Sequence, residues 1–228
     1  MNKNQVIETL KELRSNSKKR KFDQSIDLII NLKELDMKKS NVDTFVTLPH
    51  LRGKDVKICA IVGPELENQA REYCNKVILK KELDSYKTDP KKVKSIAKEC
   101  DIFIAQDGLM GQIAAIFGRI LGPLGKMPNP KIGGVITPTG QVKPAVEKHK
   151  KIIKVMTKKE PVIKINVGKE SLGDDVVADN IMMVYDNIVH QLPKEQGNIK
   201  NVIIKMTMSK PLKVGEKHVA EKKEKTAK

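Results

Sequence analysis

Aromatic residues make up only 3% of this 228-residue chain, with no Trp, three Tyr and four Phe. Proteins that grip single-stranded nucleic acid by stacking need several exposed rings, so this composition argues against that mode. Cysteine is equally scarce. Cys59, Cys74 and Cys100 are odd in number and far apart, no C-x-x-C pair exists, and the four His are scattered. That pattern supports neither a disulfide frame nor a metal site. No apolar run approaches the roughly 18 residues of a membrane span. The start, Met1 to Asn4, leads into an amphipathic helix without a secretory apolar region. A cytoplasmic protein with no membrane partner is the expectation. Catalytic grammar is missing as well. No Ser stands in a G-x-S-x-G context, and the apolar run Val56 to Val62 leads into Gly63-Pro64-Glu65 rather than G-x-G-x-x-G. The expectation is therefore no enzyme, no cofactor and no metal.

What the chain has in abundance is positive charge. Lys and Arg number 44 against 28 acids, a net charge of +16. A polyanionic partner, most simply nucleic acid, accounts for this, and the alternative is the lysine-rich solvated surface of a heat-adapted protein. With few aromatics, a partner recognised by phosphate, ribose and shape fits better than one recognised by stacking. The charge is spread along the chain. Gly53 to Lys151 holds 18 basic and 11 acidic residues, net +7, leaving +9 for the rest, so charge alone does not say which part binds.

Periodicity divides the chain into three. Val6, Ile7, Leu10 and Leu13 mark a first helix, followed by a basic run through Lys21. Ile26, Leu28, Ile30 and Leu32 then alternate with Ser25, Asp27, Ile29 and Asn31, a strand with one apolar face. Asp43 to Leu48 is a second strand. From Gly53 the strands change character. Val56 to Val62 is almost wholly apolar, as in a parallel sheet covered on both faces. Helix Glu65–Cys74, strand Val77–Leu79, helix Lys91–Cys100, strand Ile102–Ala105 and a closing helix Val142–Lys151 follow it. After Lys151 alternation returns in Val162 to Val167 and in Asn201 to Met208. Between them Ser171 to Asp174 reads as a capping box opening a helix with Val177, Ile181, Val184, Ile188 and Leu192 on its apolar face. From Lys213 onward the Lys/Glu-rich tail shows no apolar periodicity and is expected to be mobile.

The economical architecture is α/β with two domains. A discontinuous α+β domain comprises 1–52 and 152–228, and a Rossmann-like α/β domain, 53–151, is inserted into it. Two crossings between them permit a hinge. The open faces of the terminal strands carry Ser25, Asp27, Asn31, Lys164, Asn166, Asn201, Lys205 and Thr207. Lysines suit phosphates, and hydroxyls and amides suit ribose 2′-OH groups. The same pattern also fits the ordinary wet face of an antiparallel sheet.

One stretch is distinctive, G-R-I-L-G-P-L-G-K-M-P-N-P from Gly118 to Pro130. Met110, Ile113, Phe117, Ile120 and Leu121 place a helix before it, which Gly122-Pro123 is expected to end. From Gly108 to Pro144 the chain uses eight of its 14 Gly and five of its 11 Pro, a loop held in one shape. A phosphate loop is poorly supported. Ile120 stands where the first Gly is required, and Met127 replaces the metal-binding Ser/Thr. A structural connector remains open. So does a family signature: I-L-G-P-L-G-K-M-P-N-P closely resembles that of large-subunit ribosomal protein one, archaeal-type by the lysine-rich style of Lys33 to Lys39.

That resemblance, which extends over nearly the whole chain, implies an inserted Rossmann-like domain and an RNA-binding domain built from both termini. It implies a monomer within the ribosome that binds large-subunit rRNA and forms the mobile stalk at the tRNA exit site. Release of deacylated tRNA and repression of its own synthesis through its mRNA are implied too. The family's Lys-Phe strand start matches Lys21-Phe22, with Ser25 at a hydroxyl position, and its Gly-Lys turn matches Gly168-Lys169. Its Thr-Met-Gly turn matches Thr207-Met208, but here Ser209 replaces Gly. If that turn needs φ > 0, Ser is costly there. Lys205 and Lys210 flank the turn as phosphate contacts. Phe22 is in phase with Ile26 and Leu28, so capping of the core is its alternative role. Two other classes stay in view: an enzyme with a Rossmann-like cofactor domain, and a non-specific basic nucleic-acid-binding protein.

Overall fold

The computed structural model describes residues 1–35, 42–157 and 160–216. The tail beyond 216 and most of the Lys33–Lys39 stretch lie outside the described residues. In chain order the elements are α1 (Lys3–Asn16), β1 (Ser25–Leu32), β2 (Asp43–Thr47), β3 (Ile58–Val62), α2 (Glu67–Tyr73), β4 (Lys76–Leu79), α3 (Leu83–Thr88), α4 (Pro90–Glu99), β5 (Ile102–Gln106), α5 (Met110–Leu124), β6 (Val135–Ile136), α6 (Val142–Lys151), β7 (Ile152–Met156), β8 (Val162–Lys169), α7 (Asp174–Gln191), β9 (Ile199–Met206) and β10 (Leu212–Lys213). The chain forms two compact units, 1–54 with 153 onward, and 55–152. No described helix is long and apolar enough to cross a membrane.

In the first unit, β1 is a central strand between β8 and β9 in an antiparallel sheet of order β10-β9-β1-β8. Its alternation is realised residue by residue: Ile26, Leu28, Ile30 and Leu32 are buried, while Ser25, Asp27, Ile29 and Asn31 are only partly so. Helices α1 and α7 cover the apolar face, burying Val6, Leu10, Leu13, Ile181, Val184 and Ile188 against Ile163, Val167 and Ile204. Each such side chain contributes roughly 1.5–3 kcal/mol by leaving water. β2 and β7 pair separately as a two-stranded sheet.

The second unit is a parallel sheet of order β4-β3-β5-β6. All five residues of β3 are buried, as a central strand covered on both faces requires. Cys59 and Ile61 point into a core shared with Val93, Phe103, Ile113 and Phe117, whereas Ile58, Ala60 and Val62 point into another with Leu66, Ala70, Val142 and Val146.

Several expectations need correction. α5 does not end at Gly122-Pro123. Pro123 sits in its last turn, and Gly125, at φ 66°, makes the stop. The Gly125 N–H bonds to Gly122 O at 2.9 Å and the Lys126 N–H to Leu121 O at 3.0 Å, closing a Schellman motif. The capping box at Ser171 does not form. Gly173 is the N-cap of α7 without a side-chain bond, because Ser171 is engaged by Asp23. Lys213 belongs to β10, so the ordered chain continues past it. α3, β6 and β7 were not anticipated from periodicity. The first two are short, and β7 follows α6 with no intervening break.

Candidate nucleic-acid interface

Topology gathers the sequence-named residues. Because β1 runs antiparallel to both neighbours, its start meets the ends of β8 and β9: Ser25 pairs with Lys169, and Ile26 with Met206. Lys21, Phe22 and Ser25 therefore share one end of the sheet with Gly168, Lys169, Thr207, Met208, Ser209 and Lys210. Lys205 lies one step in, opposite Asp27 on the open face. There Asp27, Ile29, Lys164, Ile165, Asn166 and Lys205 line a hollow of about 350 Å³.

The turn after β9 is tied to the start of β1. The Thr207 N–H donates to Ser25 O at 3.1 Å, and the Ser25 N–H donates back to Thr207 Oγ1 at 3.1 Å. Ser209 closes the turn: its N–H donates to Met206 O at 3.2 Å and its Oγ accepts the Met206 N–H at 2.8 Å. Glu34 and Glu195 are the non-glycine residues with positive φ among those described, so Ser209 does not need the glycine conformation. Its hydroxyl does work that a glycine could not. Met208 departs from the expected strand phase. The strand ends at Met206, the chain turns, and Met208 is 59% exposed. Phe22 is 51% exposed and does not cap the core. Two large apolar side chains thus stand in solvent on adjacent loops, among cations.

The turn after β8 is pinned from beneath. Arg14 Nε donates to Asp174 Oδ1 at 2.6 Å, and its two terminal nitrogens donate to Glu170 O at 2.6 Å and Leu172 O at 2.7 Å. Asp23 Oδ1 accepts the Ser171 N–H at 3.0 Å and Oδ2 accepts its hydroxyl at 2.8 Å. Lys169 Nζ lies 3.8 Å from Asp23 Oδ2, and its stem packs over Gly53. Gly168 is buried. A Cβ there would lie 3.2 Å from Val177 Cγ2 and 3.3 Å from Leu172 Cδ1, so its part is close packing under α7 rather than surface contact. A bulge between Ile26 and Asp27 is bridged by the Asn166 amide, which donates to Ile26 O at 3.3 Å, Gly168 O at 3.3 Å and Asp27 Oδ1 at 3.2 Å.

Arg14, Asp23, Gln24 and Glu170 support this surface and were missed from sequence, whereas Asn166 was expected only as an open-face polar group. Only Gln24 carried a signal, as a polar residue in phase with Ile26 and Leu28. The open sheet face otherwise combines the expected polar groups, with Asn31 Nδ2 bonding Asn201 Oδ1 at 2.6 Å.

The second unit's distinctive residues are spent on its own fold. Lys126 Nζ donates to Ala97 O at 2.7 Å and Cys100 O at 2.8 Å, capping the C-terminal end of α4. Within the Gly118–Pro130 stretch the lysine is thus held by the fold and is not presented to a phosphate. Lys126→Met is expected to lower unfolding stability by about 1–3 kcal/mol through the abandoned carbonyls. RNA affinity should stay unchanged, and denaturant titration beside a binding assay checks both. Between β3 and β5, where such sheets hold nucleotides, Gln106 fills the crevice. Its Oε1 accepts the Gly63 N–H at 2.6 Å, and its Nε2 donates to Glu65 Oε2 at 2.9 Å. Cys59 is buried, and its hydrogen bond with Cys100, together with desolvation, pushes its thiol far up, which keeps it protonated.

The fold and this surface define a class: a two-unit α/β protein whose feature is an exposed cluster of cations, hydroxyls and apolar tips at a sheet end, suited to gripping a large polyanion. Comparison with known proteins makes the class particular. Residues 11–210 match the Ribosomal protein L1p/L10e family, and the chain belongs to that family. It is 38% identical over 225 residues to large ribosomal subunit protein uL1 of Methanocaldococcus jannaschii, covering 98% of this chain and 100% of that one. The protein of the same name from Pyrococcus abyssi is 37% identical over 212 residues, 92% of this chain and 94% of that one. That of Nanoarchaeum equitans is 35% identical, over 91% and 98%.

Proposed function

We propose that this chain is a structural protein of the cytoplasmic large ribosomal subunit, acting by binding rather than catalysis. Its first unit holds a structured segment of large-subunit rRNA. The interface is the loop cluster of Lys21, Phe22, Ser25, Lys169, Lys205, Thr207, Met208, Ser209 and Lys210, with Gly168 shaping it from behind. The carrying observation is that Phe22 and Met208 stand more than half exposed on loops tied together by hydrogen bonds, with Lys21 and Lys210 close by in the chain. Rigid apolar tips among cations suit a folded RNA whose sugars and unstacked bases offer flat faces. Family membership and the near-full-length relatives support the same reading.

The finer roles belong to this proposal too. With its rRNA the chain forms the mobile stalk, the two crossings between units serve as a hinge, and the stalk meets deacylated tRNA at the exit site. A copy free of ribosomes represses its own synthesis by binding an mRNA site that resembles the rRNA site. Ultraviolet crosslinking in assembled large subunits tests the placement. Crosslinks to rRNA should map to residues 20–25, 168–171 and 205–210. Crosslinks confined to 55–152 would contradict the assignment.

A further inference from the structure

Gln24 is a buried polar residue at the point where three loops meet. It is 1% exposed, although it lies just outside β1. Its Oε1 accepts the Met208 N–H at 3.2 Å, and its Nε2 donates to Glu170 Oε2 at 3.2 Å. Its own carbonyl accepts the Glu170 N–H at 2.8 Å. One side chain thus spans from the turn after β9 to the turn after β8.

The chemistry of this bridge is directional. The side chain must accept from a backbone N–H at one end and donate to a carboxylate at the other. A neutral amide does both. A carboxylate would face Glu170 with no proton to give, and an ammonium could not accept from Met208. Buried polar groups of this kind are costly when half satisfied, so the bridge holds its two ends at one separation.

We propose that Gln24 is the specificity-determining positioning residue of the RNA site. It touches no RNA itself. It sets the spacing between Met208 and Lys169, and hence which RNA surface can meet both together. This assignment rests on the loop cluster being the RNA interface. Phosphate attraction by the surrounding lysines does not depend on that spacing, whereas discrimination among folded RNAs does.

The test uses the full chain, the large-subunit rRNA fragment that the unaltered protein retains best, and an unrelated structured RNA of equal length. The readouts are the affinity ratio for the two RNAs and the slope of log affinity against log salt. Gln24→Glu should lower the ratio roughly tenfold, as expected for one broken buried bridge, with the slope unchanged. The exchange Q24E/E170Q restores a donor opposite an acceptor and should recover most of the ratio. Gln24→Asn keeps both hydrogen-bonding groups but is one methylene short, and should lower the ratio with a smaller disturbance of the fold. An unchanged ratio in Gln24→Glu and Gln24→Asn, or an exchange variant as impaired as Gln24→Glu, overturns the assignment. A ratio near one in the unaltered protein overturns instead the RNA-site reading beneath it.

Discussion

Replacing Phe22 and Met208 together by alanine is expected to lower affinity for the cognate rRNA segment roughly 100-fold while leaving stability almost untouched. The size follows from position. Each side chain is more than half exposed, so neither supports the core in the free protein. On binding, each would be buried against a sugar or an unstacked base. Burying the exposed half of such a side chain is worth roughly 1–1.5 kcal/mol, and about 1.4 kcal/mol is a factor of ten. Because both lie outside the packed interior, the unfolding free energy should move by less than about 0.5 kcal/mol. The salt slope should also persist, since no phosphate-binding cation is removed. Thr207→Ala should act in the same direction, by freeing the Ser25 N–H and loosening the turn that presents Met208. Filter binding beside urea titration separates these quantities. Comparable losses of affinity from Lys126→Met and from the double change would place the interface elsewhere.

The second large effect is expected at Arg14, far in sequence from the loop it holds. Arg14→Ala should cost about 3 kcal/mol of stability and weaken RNA binding as well. Three guanidinium nitrogens bond Asp174 and the carbonyls of Glu170 and Leu172, linking α1 to the turn that follows β8. Both partners of the ion pair are mostly covered, Arg14 at 28% and Asp174 at 20% side-chain exposure. Removing the cation strands two carbonyls and a carboxylate, and breaking such a partly buried network costs on the order of 3 kcal/mol. Arg14→Lys should recover only a fraction, because an ammonium cannot reach three acceptors in a planar fork. The check is a denaturant midpoint for each variant, with RNA affinity measured well below that midpoint. An alanine variant as stable as the original chain would show the clamp to be dispensable.

Much of the architecture was legible because its strands alternate strictly. Ile26-Leu28-Ile30 and Val202-Ile204-Met206 announce one buried face, and the unbroken apolar run ending in Val62 announces two. The misreadings arose where a side chain several residues away decides the local outcome. Met208 continues the β9 alternation on paper, but the turn at Thr207 ends the ladder and swings it outward. Ser171 has the spacing of a helix cap, yet Asp23, nearly 150 positions earlier, takes its hydroxyl. Ser209 looks costly where the family pattern has Gly until Met206 is seen donating to its hydroxyl. The contact residues of the candidate site were named from a resemblance, and topology brings them together. The supporting layer of Arg14, Asp23, Gln24 and Glu170 was hidden, because its bonds join segments about 150 residues apart.

The central claim is that the loop cluster recognises one structured rRNA segment rather than polyanions in general. Competitive filter binding tests it most directly. Labelled large-subunit rRNA fragments are challenged with equal masses of duplex DNA and unrelated structured RNA across a salt series. Retention of one fragment at salt concentrations that strip both competitors, and its loss in the Phe22/Met208 double variant, is the predicted result. If all three ligands are displaced alike and binding collapses together as salt rises, the chain is a general polycation binder, and the claim is contradicted.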